Sequence, residues 1–323
     1  MKAGLAKISP APFAALYSAG AAVLLLFATA LTGGELALNK WGVLAGAFAG
    51  AASVALAQSF AIAPNPGFSM GVFRMQAVLT AFASYFLFGA KLDRPKVLGM
   101  LIACGGVVLL ARSTEASEAF TEEKKKKSGK KEKAKDRDSL RWLWLAGAAG
   151  ALMTVKDLAT KHAMTAGGAG VSSTLLSCAL LQTIVAGAAA YFMGGDLQAV
   201  GDRKAVPYIA ASAAAFALYQ STVITASKAA PNVGMVKAID TLGLVLTTVG
   251  SHFLYGSSLG RRALESVGVI LAGVLVMCFS NAETRWWNKV GASTKKRLCR
   301  ETGMCKRAGI DYRVIDAIMG WSP

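Results

Sequence analysis

The chain has 323 residues, of which 54% are hydrophobic and only 16% are charged, and its mean hydropathy is +0.47. This composition is typical of a membrane protein and excludes a pair of ordinary soluble domains. The net charge of +17 does not indicate nucleic-acid binding, because the basic residues concentrate between Arg112 and Arg141 and after Ala282, and the run Lys124–Lys127 lacks interleaved aromatic residues.

Nine apolar segments have about the length that a transmembrane helix needs, roughly 20 residues. We number them one to nine in chain order: 12–31, 42–63, 68–89, 96–112, 142–163, 171–194, 206–226, 232–255 and 263–280. Many of the 34 glycines lie inside them, where small side chains let helices pack closely in lipid. The sequence therefore predicts an all-α, multi-pass integral membrane protein and leaves the compartment open.

The second half of the chain repeats the first at a constant offset. The matches at 167 residues are Pro64-Asn65-Pro66-Gly67 with Pro231-Asn232-Val233-Gly234, Ser84 with Ser251, Phe86-Leu87 with Phe253-Leu254, Gly89 with Gly256, and Gly106-Val107 with Gly273-Val274. Helices one to four thus pair with six to nine, a displacement of five. An odd displacement reverses direction through the membrane, so we predict an inverted repeat, the architecture of many secondary transporters. Helix one has a partner and so is favoured as part of the fold over a cleaved signal sequence.

The residues of this repeat also resemble a known family. The run Ala63–Ala111, with Ser84–Gly89 at the end of helix three and Gly105-Gly106 in helix four, is similar to the drug/metabolite transporter superfamily, in particular its EamA-like branch, and Pro231–Ser280 is similar again. The resemblance implies ten helices as five plus five. It also implies a central cavity lined by helices two, three, five, seven and eight. This chain has one helix fewer than that pattern.

We therefore divide the chain into four parts. Residues 1–112 form the first EamA-like repeat without its opening helix, 113–141 a basic flexible linker, 142–281 the second repeat and 282–323 a basic tail. The linker carries eleven Lys or Arg and seven Asp or Glu between Arg112 and Arg141, a composition that does not bury a core.

Polar residues inside the predicted spans are the candidate binding residues, because charges in lipid are costly and usually face a cavity or a partner. The candidates for substrate binding are Gln58, Arg74, Gln76, Lys156, Tyr219, Gln220, Lys237 and Asp240. They fall on the helices that the resemblance assigns to the cavity.

Each candidate has a structural alternative. Asp157 with Lys161, and Lys237 with Asp240, share helix faces and can form local ion pairs. We expect Arg74 to find Asp240, backbone carbonyls or a ligand. Four cations, with Lys156 and Lys161 included, face two carboxylates, and this excess of two positive charges favours an anionic or zwitterionic substrate.

Gln58 and Gln220 occupy equivalent positions in Ala55–Ser59 and Ala217–Ser221, so they are either substrate contacts on opposite cavity walls or interhelical glue. Asn65 and Asn232 follow prolines and are predicted to cap helices rather than to bind ligand. His252 is predicted to lie at the membrane interface.

The sequence favours a secondary transporter that moves a small polar metabolite by alternating access. No Gly-rich phosphate loop, catalytic triad or metal-ligand spacing is present, so we predict neither an enzyme nor a cofactor. The alternative is a membrane scaffold that retained the fold and binds a protein through its basic tail. The expected partners are a small-molecule substrate and membrane lipid, with no nucleic acid; a protein partner at the tail and a homodimer are also considered.

Overall fold

The computed structural model describes residues 9–63, 65–90, 92, 94–127, 141–193, 205–230, 232–240, 243–255 and 260–289. The helices in this part of the chain are α1 (Pro10–Leu31), α2 (Lys40–Ile62), α3 (Pro66–Phe73), α4 (Gln76–Phe88), α5 (Arg94–Lys127), α6 (Arg141–Thr165), α7 (Val171–Phe192), α8 (Val206–Ala229), α9 (Val233–Asp240), α10 (Gly243–Tyr255) and α11 (Arg261–Lys289). No strand occurs in it, so the all-α prediction is confirmed there.

The distribution of apolar and charged side chains matches a lipid environment. Five segments of the described chain are long and apolar enough to cross a membrane, namely α1, α2, the pair α3 and α4, α7 and α8. Large apolar side chains lie outside, with Leu218 71% and Phe253 80% exposed, whereas Lys156 and Lys237 are fully buried. Charges inside and apolar groups outside are the arrangement of a multi-pass membrane protein.

A row of glycines on α2 brings this helix against α7. Gly42, Gly46 and Gly50 recur at intervals of four and share one helix face. A Cβ atom on Gly42 would lie 2.7 Å from the Cβ of Ser177, and one on Gly50 would lie 2.7 Å from the Cβ of Val185. The two backbones can approach this closely only because the glycines have no side chain.

Predicted spans three and eight each consist of two helices. Helices α3 and α9 have eight residues each, and α4 and α10 have thirteen each. Asn65 Oδ1 accepts a hydrogen bond from Gly67 N at 2.7 Å, and Asn232 Oδ1 accepts one from Gly234 N at 2.8 Å. The prediction that both asparagines cap helices is confirmed, because each oxygen satisfies an N–H that the first turn leaves unpaired.

These divided helices pack against each other, α3 against α10 and α4 against α9. A Cβ on Gly67 would lie 2.7 Å from the Cβ of Thr248, and a Cβ on Gly234 would lie 2.7 Å from the Cα of Ala81. Helix α5 packs along α11. The contacts of both helix pairs therefore depend on glycine.

Two helices extend past their predicted ends, α5 to Lys127 and α11 to Lys289. The prediction that the flexible linker begins at residue 113 is wrong, because the alanine, glutamate and lysine residues there have high helix propensity and charge alone does not end a helix. Residues 128–140 of the linker and 290–323 of the tail lie outside the described residues.

Candidate functional site

Charged and polar side chains from four parts of the fold meet in the interior. They are Arg74, which ends α3, Lys156 and Asp157 on α6, Tyr219 and Gln220 on α8, and Lys237 and Asp240 on α9. Arg74 and Asp240 each stand at the end of an eight-residue helix, so the network is centred where the two divided helices change direction.

Arg74 and Asp240 form an ion pair between these two helix ends. The Tyr219 hydroxyl donates a hydrogen bond to Asp240 Oδ2 at 2.8 Å and accepts one from Lys237 Nζ at 3.2 Å. The Arg74 side chain is 6% exposed and that of Asp240 is 15% exposed. Of the three partners that the sequence offered Arg74, the structure places Asp240 beside it.

Asp157 continues the network from α9 to α6 and α8. Its Oδ2 lies 3.1 Å from Lys237 Nζ, and its Oδ1 lies 3.2 Å from Lys156 Nζ. Lys156 Nζ also donates a hydrogen bond to Gln220 Oε1 at 2.9 Å. One connected chain of ion pairs and hydrogen bonds thus runs from Arg74 to Gln220.

This network contains three cations and two carboxylates, so it carries one excess positive charge. The excess is smaller than the predicted two because Lys161 lies elsewhere. Lys161 Nζ donates to the carbonyl oxygens of Ser227 at 2.9 Å, Lys228 at 3.2 Å and Ala230 at 2.8 Å, at the end of α8. The predicted local pair of Asp157 with Lys161 is replaced by the contacts of Asp157 with Lys156 and Lys237.

The other two predicted binding residues have different surroundings. Gln76 is fully buried, and neither atom of its side-chain amide has a hydrogen-bond partner among the described residues. Gln58 lies outside the network, with its Nε2 3.4 Å from Met193 Sδ at an exposed position. The predicted equivalence of Gln58 and Gln220 therefore does not extend to their environments. His252 is exposed, as expected for an interfacial residue.

A small cavity adjoins the network between α1, α7 and α8. It has room for about one water molecule. Its polar lining comes from Ser18, Gln182 and Gln220, and the remainder is apolar, including Leu25 and Phe216. Gln220 belongs both to this lining and to the charged network.

Sequence reasoning did not select three residues of this region, namely Asp157, Gln182 and Ser18. Asp157 was assigned to a local pair instead of the network. Gln182 was overlooked because attention went to charges, and helix six has none. A lone glutamine within the apolar segment 171–194 is a signal that could have identified it, since a buried amide needs partners.

No family model matches the chain, and no curated protein matches it. Seventeen chains of solved structures match. One of them, described as "Crystal structure of protein", superposes with a TM-score of 0.60 over 85% of this chain and 90% of its own length, at 16% sequence identity. Such a likeness shows a shared fold and says nothing about a ligand.

Proposed function

We propose that this protein is a secondary transporter of the EamA-like, inverted-repeat type, which moves a small anionic or zwitterionic metabolite by alternating access. The observation that carries the proposal is the buried network at the ends of α3 and α9. Secondary transporters commonly bind substrate where half-helices end near the bilayer midplane, between two inverted repeats.

Helix boundaries support the inverted repeat. Helices α3 and α4 begin and end 167 residues before α9 and α10. Helix α2 ends at Ile62 and α8 at Ala229, and α5 begins at Arg94 and α11 at Arg261, again 167 residues apart. Matching boundaries across four pairs of helices are expected of duplicated halves. With the divided helices counted as single spans, they give the proposed nine.

Contacts exchanged between the halves support a two-fold relation. Gly67 approaches Thr248, and the residues 167 positions away, Gly234 and Ala81, approach each other in the same way. A second set behaves alike: the glycine and its neighbour on α5 and α11 are Gly106 with Ile270 and Gly273 with Ala103. Each contact has a counterpart with the roles of the two halves reversed, as a two-fold axis between them requires.

The charges of the network support an anionic substrate. Three buried cations share two carboxylates, and Arg74 Nε has no hydrogen-bond partner among the described residues. An anion entering the site would balance the excess charge, and a guanidinium offers paired donors to a carboxylate or phosphate. Because Arg74 and Asp240 join the two halves, we propose that the anion competes with Asp240 for Arg74 and so loosens the contact between them.

The test combines binding and flux. The purified protein is heated with amino acids, carboxylates, sugar phosphates and nucleotide sugars, and a ligand at 100 times its Kd stabilises it by about 2.7 kcal/mol. The stabilising compound is then followed into liposomes. We expect Arg74→Ala to abolish binding and flux. The matched control is Arg261→Ala, since the Arg261 side chain is 92% exposed and its partner is the surface residue Glu265.

Equal flux in the wild-type protein and Arg74→Ala would contradict the proposal. Absence of any stabilising compound, together with loss of function on deletion of the tail, would instead support the scaffold.

A further inference from the structure

We propose that the cavity between α1, α7 and α8 binds a hydroxyl group of the substrate beside the network that binds its charge. The inference rests on the proposed function and adds a chemical class: an anion that carries a hydroxyl within a few bonds of its anionic group. It is carried by two buried amides that line the same cavity and each have one hydrogen-bonding atom left over.

Gln182 presents the acceptor. Its Nε2 donates hydrogen bonds to Ser53 Oγ at 3.0 Å and Ser18 Oγ at 3.3 Å, which fixes the amide between α1, α2 and α7. Its Oε1 has no hydrogen-bond partner within the described chain, although the residue is only 1% exposed. A buried amide oxygen without a partner is uncommon in folded proteins and indicates that a ligand or water completes it.

Gln220 presents the donor. Its Oε1 accepts the hydrogen bond from Lys156, so the amide is oriented by the charged network. Its Nε2 has no partner among the residues that the structure describes, and the residue is 3% exposed. The cavity is therefore lined by one unsatisfied acceptor and one unsatisfied donor from facing helices.

A hydroxyl group fits this pair better than the common charged groups. A hydroxyl both donates and accepts, whereas a carboxylate only accepts and an ammonium only donates. The space holds about one water molecule, which is also the size of a hydroxyl. The apolar remainder of the lining, with Leu25, Phe216 and Ile224, suits a short carbon skeleton.

Gln220 sets the distance between the two parts of the site. Because one amide group separates the atom on Lys156 from the atom at the cavity, a bound hydroxyl lies close to the network. A substrate that spans both places its hydroxyl near its anionic group. An unsubstituted anion of the same length leaves both amide atoms unpaired, which weakens its binding.

The test compares anions that differ by one hydroxyl. Thermal stabilisation of the full-length protein is measured with lactate and propionate, malate and succinate, and glycerol 3-phosphate and propyl phosphate. We expect the hydroxylated member of at least one pair to bind about tenfold tighter. Gln182→Met should remove this preference and leave binding of the deoxy member unchanged. The matched control is Thr183→Val on the same helix, because the Thr183 hydroxyl bonds only to its own helix at Ala179 O.

The outcomes separate the two proposals. Equal binding of the members of every pair that binds would overturn the hydroxyl site while anion binding still supports the proposed function, and the cavity then holds only water. Failure of all six anions to bind would count against the proposed function and the hydroxyl site together. The wild-type comparison decides the question even where Gln182→Met does not fold, since it needs no variant.

Discussion

The two divided helices, α3 with α4 and α9 with α10, have the same shape and different charges. Both have an asparagine cap, an eight-residue helix and a glycine that touches the partner half. Arg74 corresponds in sequence to Thr241, Asp240 to Phe73 and Lys237 to Met70. The residues that shape the backbone are shared by the halves, and those that form the network are not. A symmetric scaffold thus holds an asymmetric interior, which a ligand with two different ends requires.

The largest effect is expected where the asymmetry is greatest. Asp240→Ala leaves Arg74 buried without its carboxylate, and loss of one partner of a buried pair costs about 3–5 kcal/mol of unfolding free energy. Replacing both residues with methionine should cost much less, because no charge is left unpaired. Denaturant unfolding in detergent measures both, and a double variant as unstable as the sum of the single variants would contradict this view.

The glutamines at equivalent repeat positions give the next contrast. Gln220→Met removes an acceptor from the buried Lys156, and a hydrogen bond to a charged group contributes about 1.5–3 kcal/mol. Gln58→Met should change stability by less than about 0.5 kcal/mol, because Gln58 lies at an exposed contact with Met193. Thermal unfolding of the two variants compares them, and equal losses would restore the predicted equivalence.

The shared glycines should respond alike in both halves. Gly67→Ala and Gly234→Ala each place a Cβ about a full ångström inside normal contact distance, and we expect each to cost about 1–3 kcal/mol. Gly250→Ala in α10 is the control, since a Cβ there meets nothing within 4 Å. A large loss in one half only, by the same unfolding measurement, would count against the two-fold relation.

The smallest effect is expected at the caps. Asn65→Ala and Asn232→Ala each remove a hydrogen bond to the first turn of an eight-residue helix, at a cost of about 1 kcal/mol. Aspartate at either position retains the oxygen and isolates the role of the cap. Hydrogen exchange at Gly67 and Gly234 follows the two bonds separately, and unchanged exchange in the alanine variants would refute capping.

Sequence reasoning was most successful where residue type determines geometry. The prolines and asparagines at 64–67 and 231–234 predicted the caps, and apolar length predicted the helices. It failed where geometry depends on partners distant in sequence. Asp157 and Lys161 share a helix face, yet Lys161 reaches the end of α8 and Asp157 reaches Lys237, because contacts between helices override spacing within one helix.

Gln58 shows a second limit. The repeated pentapeptides Ala55–Ser59 and Ala217–Ser221 place Gln58 and Gln220 at matching positions, but sequence alone does not give the rotation of each helix within its half. The ends of α5 and α11 show a third, since helices made of strong helix formers continue past the apolar segment into charged sequence.

The three carbonyls bound by Lys161 have a consequence for biogenesis. Helix α6 carries Lys156, Asp157 and Lys161, and each charge costs about 2.5–3.5 kcal/mol to insert at the centre of an isolated helix. Its acceptors are supplied by α8 and α9, which are synthesised afterwards. We therefore expect α6 to wait at the insertion machinery until the later helices emerge, so that the ribosome finishes most of the second half before this part of it settles in the bilayer.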